Sequence, residues 1–182
     1  MPQVLGVLKE KKAQNVLDLG SGSGRHVVYL AQNGLAVFGL DNSPQGLAIT
    51  RKWLAEEGLS ADLQLGDMAA RLPYGDDFFD TVISVQVIHH ADVATIKGII
   101  AEIERVLKKD GFIFITVPKL KHRDQAYKQI EVNTFVPLDG PEKGLPHHYS
   151  SPEELREFFD NFDIAGIHLD AVKHYCLSAF KR

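Results

Sequence analysis

Val16-Leu17-Asp18-Leu19-Gly20-Ser21-Gly22-Ser23-Gly24-Arg25-His26 is the stretch from which the rest of the chain is best understood. Its first four residues form the pattern of a short buried strand. Three glycines alternating with serines read as a turn, and Val27-Val28-Tyr29-Leu30-Ala31 then opens a helical pattern. A strand that passes through glycines into a helix N-terminus is a ligand cradle. Glycine reaches positive φ without a side-chain clash and lets a ligand approach the backbone. The first helical turn offers unpaired N–H groups and a partial positive charge.

Outward from this stretch, strand and helix patterns alternate. A short helix is expected over residues 2–12 and the first strand over 15–19, with the glycine-led helix ending at Asn33-Gly34. Ala36 to Leu40 reads as a second strand ending on Asp41. Ser43-Pro44 then reads as an N-cap followed by proline at the first helical position. A third strand is expected at 62–65 and a fourth at 79–85, after a loop over 71–77. Asp76, Asp77 and Asp80 read as a solvated loop and strand start. Ile96, Ile99, Ile100, Ile103 and Leu107 recur at helical spacing, which predicts a helix over 92–108. Lys109-Asp110-Gly111 reads as a turn, and Phe112 to Val117 as a fifth strand ended by Pro118. Unbroken apolar strands alternating with helices predict a parallel sheet covered on both faces. The ends of its strands should converge on one cleft.

The pattern changes after Pro118. Residues 119–150 are polar and broken by Pro137, Gly140, Pro141, Gly144 and Pro146. A segment of this length inside a compact domain is typically functional or disordered, and it is expected to cover the cleft as a substrate-side insert. Ser151-Pro152-Glu153-Glu154 reads as the capped start of a helix. Residues 162–170 and 173–181 read as a closing antiparallel hairpin. The whole of 1–182 is expected to be one domain.

The glycine spacing is G-x-G-x-G, and Arg25 stands where a dinucleotide-binding G-x-G-x-x-G has its third glycine. Taken with the later strand ends, the chain resembles the class I S-adenosylmethionine-dependent methyltransferases, in particular the small type 11-like ones. The resemblance lies in Val16 to Gly24, Gly39-Leu40-Asp41-Asn42-Ser43, Leu65-Gly66-Asp67-Met68, Phe78 to Ser84 with Val87-Ile88-His89-His90, and Leu107 to Phe112. It covers about residues 14–118 and implies a Rossmann-like α/β fold. The implied sheet has seven mostly parallel strands in the order 3-2-1-4-5-7-6, the last strand antiparallel.

The same resemblance implies S-adenosylmethionine as cofactor and the roles of the residues around it. Gly20, Ser21, Gly22 and Gly24 would meet its methionyl and ribose parts, and Asp18 its amino group. Arg25 would pair with its carboxylate, and Asp41 with Asn42 would bind the ribose hydroxyls. Asp67 and the Met68 backbone would hold adenine, and the Ser84 and Val85 backbone the methionyl tail. The expected activity is methyl transfer to an oxygen, nitrogen or carbon atom of a small molecule. Two alternatives stand beside it: an S-adenosylmethionine-binding protein without turnover, and an NAD(P)-dependent oxidoreductase, which Arg25 and the closing hairpin oppose.

No catalytic residue is fixed by the sequence. A base is needed only where the acceptor must lose a proton, and histidine is suited to that work. His89 and His90 after the fourth strand, and His148 near the end of the insert, are the candidates. His147, His148 and Tyr149 are the expected substrate contacts. No metal is expected, because adjacent histidine pairs rarely ligate one ion together. The remaining bulk features exclude more than they assert. A net charge of -4 opposes a nucleic-acid partner bound through phosphate neutralisation. Lys119, Lys121, His122 and Arg123 read as a solvated basic loop. The single Cys176 forms no intrachain disulfide and reads as a small buried residue. No signal peptide or membrane-spanning run is evident, so a cytoplasmic location is expected. With one short helix ahead of the first strand, the site is expected to be open or closed by a partner subunit, in a monomer or a homodimer.

Overall fold

The computed structural model describes residues 1–119 and 126–182. Seven strands form the main sheet: β1 (Asn15–Leu19), β2 (Ala36–Asp41), β3 (Asp62–Leu65), β4 (Phe79–Val85), β5 (Leu107–Pro118), and the later strands β9 (Phe162–Leu169) and β10 (His174–Lys181). Between β5 and β9 lie β6 (Tyr127–Glu131), β7 (Thr134–Pro137) and β8 (His147–His148). The main sheet has the order β3-β2-β1-β4-β5-β10-β9, and β10 runs antiparallel to both its neighbours. This is the expected order. Helices α1 (Pro2–Glu10), α2 (Arg25–Gln32), α3 (Pro44–Glu56), α4 (Val93–Val106) and α5 (Pro152–Phe158) cover it.

Consecutive strand residues feed opposite faces of the sheet, as the pleat requires. Val16, Ile83 and Phe112 pack with Val4, Leu8, Val27 and Leu54 of α1, α2 and α3. Their neighbours Leu17, Val82 and Ile113 pack with Ile96, Ile99, Ile103, Leu155 and Phe159 of α4 and α5 and their ends. Strands buried on both sides therefore read as unbroken apolar runs. The helix starts are held by side chains: Ser43 accepts from the Gly46 N–H at 3.0 Å, Asp92 from Thr95 at 2.8 Å and Ser151 from Glu154 at 3.2 Å.

Three expectations are corrected. Lys109-Asp110-Gly111 lies inside β5 and is not a separate turn. Leu107 pairs with Phe79, the register then shifts, and Asp110 takes φ +59° before Phe112 pairs with Thr81. Helix α4 accordingly stops at Val106. Asp80 is not a solvated group. Its carboxylate accepts the N–H groups of Gln14 and Asn15 at 2.9 and 2.8 Å and pairs with Lys108 at 2.6 Å; burial pushes its pKa up, and Lys108 with the two N–H groups outweighs that and holds it below the usual carboxylate range. Finally, residues 127–148 carry a second sheet of order β6-β7-β8 where a loop was expected. Lys121, His122 and Arg123 of the basic run lie outside the described residues.

Candidate functional site

The glycine turn is built from both sides. Gly20 and Ser21 donate their N–H groups to Leu40 O at 2.8 and 3.2 Å, tying β1 to the end of β2. Gly20, Gly22 and Gly24 have φ of +79°, +54° and +84°. A Cβ on Gly20 would lie 2.4 Å from Val87, and one on Gly24 would lie 2.4 Å from Thr50. At Gly22 the same Cβ would meet nothing within 4 Å. The loop is therefore packed at its two ends and open in the middle. Gly24 caps α2 without a side-chain hydrogen bond, so the first N–H groups of that helix have no side-chain acceptor.

Two carboxylates flank this turn. The Asp41 carboxylate accepts the Gly22 N–H at 2.7 Å and the Ser43 N–H at 2.8 Å. The Asp18 side chain is 1% exposed, and its Oδ2 has no hydrogen-bond partner. Burial, and then the nearby Asp41 charge, push its pKa up to about 7, against a smaller opposing effect of Arg25. Ser21 Oγ is a second buried polar atom without a partner. Buried polar groups are rarely left unpaired without a functional reason. Here they belong to the last residues of β1 and the glycine turn that follows it.

The other expected site residues fall into three neighbouring spaces. Gly20, Asp41, Asn42 and Met68 line a small cavity with Gly66 and Val87. Asp67 is exposed, and its carboxylate accepts the Ala69 N–H at 2.9 Å. Arg25 and Val85 line a groove of about 760 Å³ between α1, α2 and the strands β5 and β10. The Ser84 hydroxyl donates to Leu19 O at 2.8 Å, and Ser84 itself pairs with Ile115 of β5. His89, His90, His147 and Tyr149 line a third cavity of about 190 Å³. Gln86 and His174 line both this cavity and the groove, so the two spaces adjoin.

The structure separates the histidines that the sequence grouped together. His148 is 0% exposed, and both its ring nitrogens are engaged, with Thr134 Oγ1 at 2.8 Å and Glu154 Oε2 at 3.0 Å. Its backbone N–H donates to His89 O at 2.8 Å, pinning the small sheet to the loop after β4. His148 is a packing residue and does not line the cavity that His147 and Tyr149 reach. His89 is buried, and burial first, then His90 and the other rings, push its pKa far down. Sequence reasoning missed Gln86, Glu142 and His174 on the cavity wall. Gln86 has φ +61° immediately after β4 and is held by Thr116 at 3.0 Å. Only the position at the strand end signals it. No helix among the described residues is long and apolar enough to cross a membrane.

Residues 17–115 match a family described as a methyltransferase domain. An uncharacterized methyltransferase of Synechocystis is 38% identical over 54% of this chain and 44% of its own length. One of Mycobacterium tuberculosis is 32% identical over 98% of this chain and 72% of its own. The chain spans less than half the length of the first curated relatives it matches. Among solved structures, a SAM-dependent methyltransferase of Methanosarcina mazei superposes with a TM-score of 0.81 at 21% identity, over 100% of this chain and 97% of that one. That likeness shows a shared fold. With the family match extending from within β1 into β5 and a relative aligned along nearly the whole chain, the protein belongs to the methyltransferase domain family.

Proposed function

We propose that the protein is an S-adenosylmethionine-dependent methyltransferase acting on a small molecule through an oxygen, nitrogen or carbon nucleophile. The observation that carries this reading is buried Asp18, whose Oδ2 has no hydrogen-bond partner, two residues before a glycine turn that is open at Gly22. A carboxylate so placed is costly until a cation meets it, and the methionyl ammonium is such a cation. The donors present fit the cofactor. Asp18 would hold the amino group and Arg25 the carboxylate. Gly20, Ser21, Gly22 and Gly24 would line the tail, with Ser84 and Val85 beside it. Asp41 and Asn42 would take the ribose hydroxyls, and Asp67 with the Met68 N–H the adenine.

Bound there, the cofactor supplies a methyl group on a sulfonium, whose departure as a neutral sulfide needs no acid. The work left to the chain is placement. Fixing donor and acceptor in line can be worth about 7–11 kcal/mol of barrier. The groove and cavity that meet at Gln86 would supply that alignment. The acceptor would occupy the cavity against His90, His147 and Tyr149, shielded by the insert that carries β6, β7 and β8. An enclosure of about 190 Å³ suits a small molecule.

Calorimetry with S-adenosylhomocysteine and with NAD tests the reading. Saturable binding of the first and none of the second is expected, and the reverse result overturns it. Binding without any transfer of labelled methyl groups into metabolite pools would favour the binding protein without turnover. A variant lacking residues 120–146 is expected to bind S-adenosylhomocysteine and lose transfer.

A further inference from the structure

The sharp turn after β4 sets His89 and His90, an adjacent pair at which no metal was expected, beside a third histidine. Gln86 takes φ +61°, and the His90 N–H donates to Val87 O at 3.0 Å. The adjacent His89 and His90 rings thereby come to 4.0 Å between centroids on one side of the chain. Strand β8 delivers His147 from the insert, 4.7 Å from His90 and 5.8 Å from His89. One ligand atom from each of the three lies within 4.8 Å of the others, the only such group among the described residues.

We propose that His89, His90 and His147 form a binding site for a divalent transition-metal ion of the zinc class, open on one side to the cavity. Imidazole nitrogens are the fitting donors for such an ion, and three protein ligands with a free position are the pattern of its reactive sites. Oxygen-seeking Mg²⁺ and Ca²⁺ do not suit three imidazoles.

Three further observations support this site. His89 Nδ1 is buried without a hydrogen-bond partner. His147 Nδ1 lies 2.8 Å from Leu145 O, and a carbonyl can only accept, so that nitrogen carries the hydrogen. In the neutral ring the lone pair then resides on Nε2, the arrangement that backbone carbonyls impose on metal-ligating histidines. That Nε2 lies 3.3 Å from Glu142 Oε2. With the ring neutral, two acceptors face each other there, and a cation between them satisfies both. Tetrahedral ligand atoms around zinc are themselves about 3.3 Å apart, from bond lengths near 2.0 Å.

The rim of the cavity carries Lys119 and Lys173. A cation on the floor and two ammonium groups at the mouth select an anionic oxygen donor, such as a phenolate or carboxylate. This last step, which makes that donor part of the methyl acceptor, rests on the methyltransferase reading. The metal site itself does not.

The test uses the full chain, stripped with a chelator and titrated with Co²⁺ followed by visible absorption, and with Zn²⁺ by calorimetry. One equivalent of Co²⁺ giving the intense band of a four- or five-coordinate site, displaced by Zn²⁺, is expected. One equivalent of Zn²⁺ should also raise the thermal midpoint of the wild type, a readout that needs no variant. His90→Ala and His147→Ala should each weaken Zn²⁺ by about 100-fold, since loss of even an outer partner costs 10–100-fold, with far-UV circular dichroism unchanged. No stoichiometric uptake by the wild type overturns the site, as does uptake that survives in the double variant. A proton bridging His147 and Glu142 is the outcome in that case. Binding of S-adenosylhomocysteine is measured on the same samples, so failure of the metal site and failure of the methyltransferase reading are separate results.

Discussion

The Asp41 carboxylate accepts the Gly22 N–H at 2.7 Å, joining the end of β2 to the middle of the glycine turn. One oxygen thus shapes the cradle while the group remains beside the cavity lined by Asn42 and Met68. Asp41→Ala removes the acceptor for both Gly22 and Ser43. Hydrogen bonds to a charged group are worth about 1.5–3 kcal/mol each, and partial exposure places the stability loss at the lower end. Affinity for S-adenosylhomocysteine should fall at least tenfold, or about 1.4 kcal/mol. Asp41→Asn, which keeps one acceptor, should recover stability more than affinity. Calorimetry showing unchanged affinity in Asp41→Ala rejects the ribose assignment.

Asp18 makes stability depend on pH in a direction opposite to most carboxylates. Its ordinary pKa is 3.8, and in the folded chain it is about 7. Between these values the folded state holds a proton that the unfolded state has released. Stability therefore falls as pH rises across that window and levels off above it. The full difference is about 4 kcal/mol. Asp18→Asn should abolish this fall and be the more stable protein at high pH, while binding S-adenosylhomocysteine more weakly because the ammonium loses its partner. In the wild type, affinity should rise with pH until about 7, as ionising Asp18 no longer opposes binding. Denaturant midpoints measured across the window decide the first claim, and calorimetry the second.

Much of this was legible in the chain itself, and the exceptions have physical causes. The strands up to β5 were visible because both their faces are buried, so residues such as Val16-Leu17 and Val82-Ile83 are apolar without interruption. The small sheet was not visible, because β6 is exposed at Lys128, Gln129, Ile130 and Glu131 and shows no alternating apolar pattern. Its strands are held by backbone pairing, Lys128 to Val136 and Thr134 to His148. The start of β5 was hidden behind Asp110 and Gly111, which have the composition of a turn. The cluster of His89, His90 and His147 depends on a left-handed Gln86 and on β8, neither of which has a sequence signature. The distinction between His147 and His148 is a matter of strand alternation, which reverses side-chain direction at every residue.

Arg105 is expected to be a structural clip remote from the cofactor. It donates to Glu102 at 2.7 and 2.8 Å, to Asp76 at 2.8 Å, and to Leu72 O and Tyr74 O at 3.1 and 2.9 Å. These bonds fasten the loop between β3 and β4 onto α4. Its hydrogen bonds hold the Glu102 pKa down to about 2 from 4.5. The stability this contributes is present above about pH 4.5 and is lost as pH falls toward 2. Arg105→Ala should cost about 2–4 kcal/mol, or roughly 5–15 °C in thermal midpoint for a domain of this size. Arg105→Lys should not restore it, because an ammonium cannot reproduce the planar fork. Affinity for S-adenosylhomocysteine should be unchanged in both. A loss of affinity without loss of stability would place Arg105 in the site instead.

Gly20 and Gly22 allow folding and binding to be separated within one turn. A methyl group on Gly20 lands 2.4 Å from Val87 in a backbone at φ +79°, so Gly20→Ala should destabilise the fold by strain and clash together. Adding Val87→Ala should relieve only part of the clash, because Val87 Cβ itself would still lie 2.8 Å away, and should leave the strain, giving a non-additive pair. A methyl group on Gly22 meets no protein atom within 4 Å, and only the left-handed backbone opposes it, at about 1–2 kcal/mol. Gly22→Ala should therefore remain folded. If the open middle of the turn is where the methionyl tail approaches, that same methyl group occupies the ligand's space, and affinity for S-adenosylhomocysteine should fall well over tenfold. Thermal melts and calorimetry on the two single variants make the comparison. A folded Gly22→Ala that binds as well as the wild type would put the ligand on another face and remove the cradle from the site.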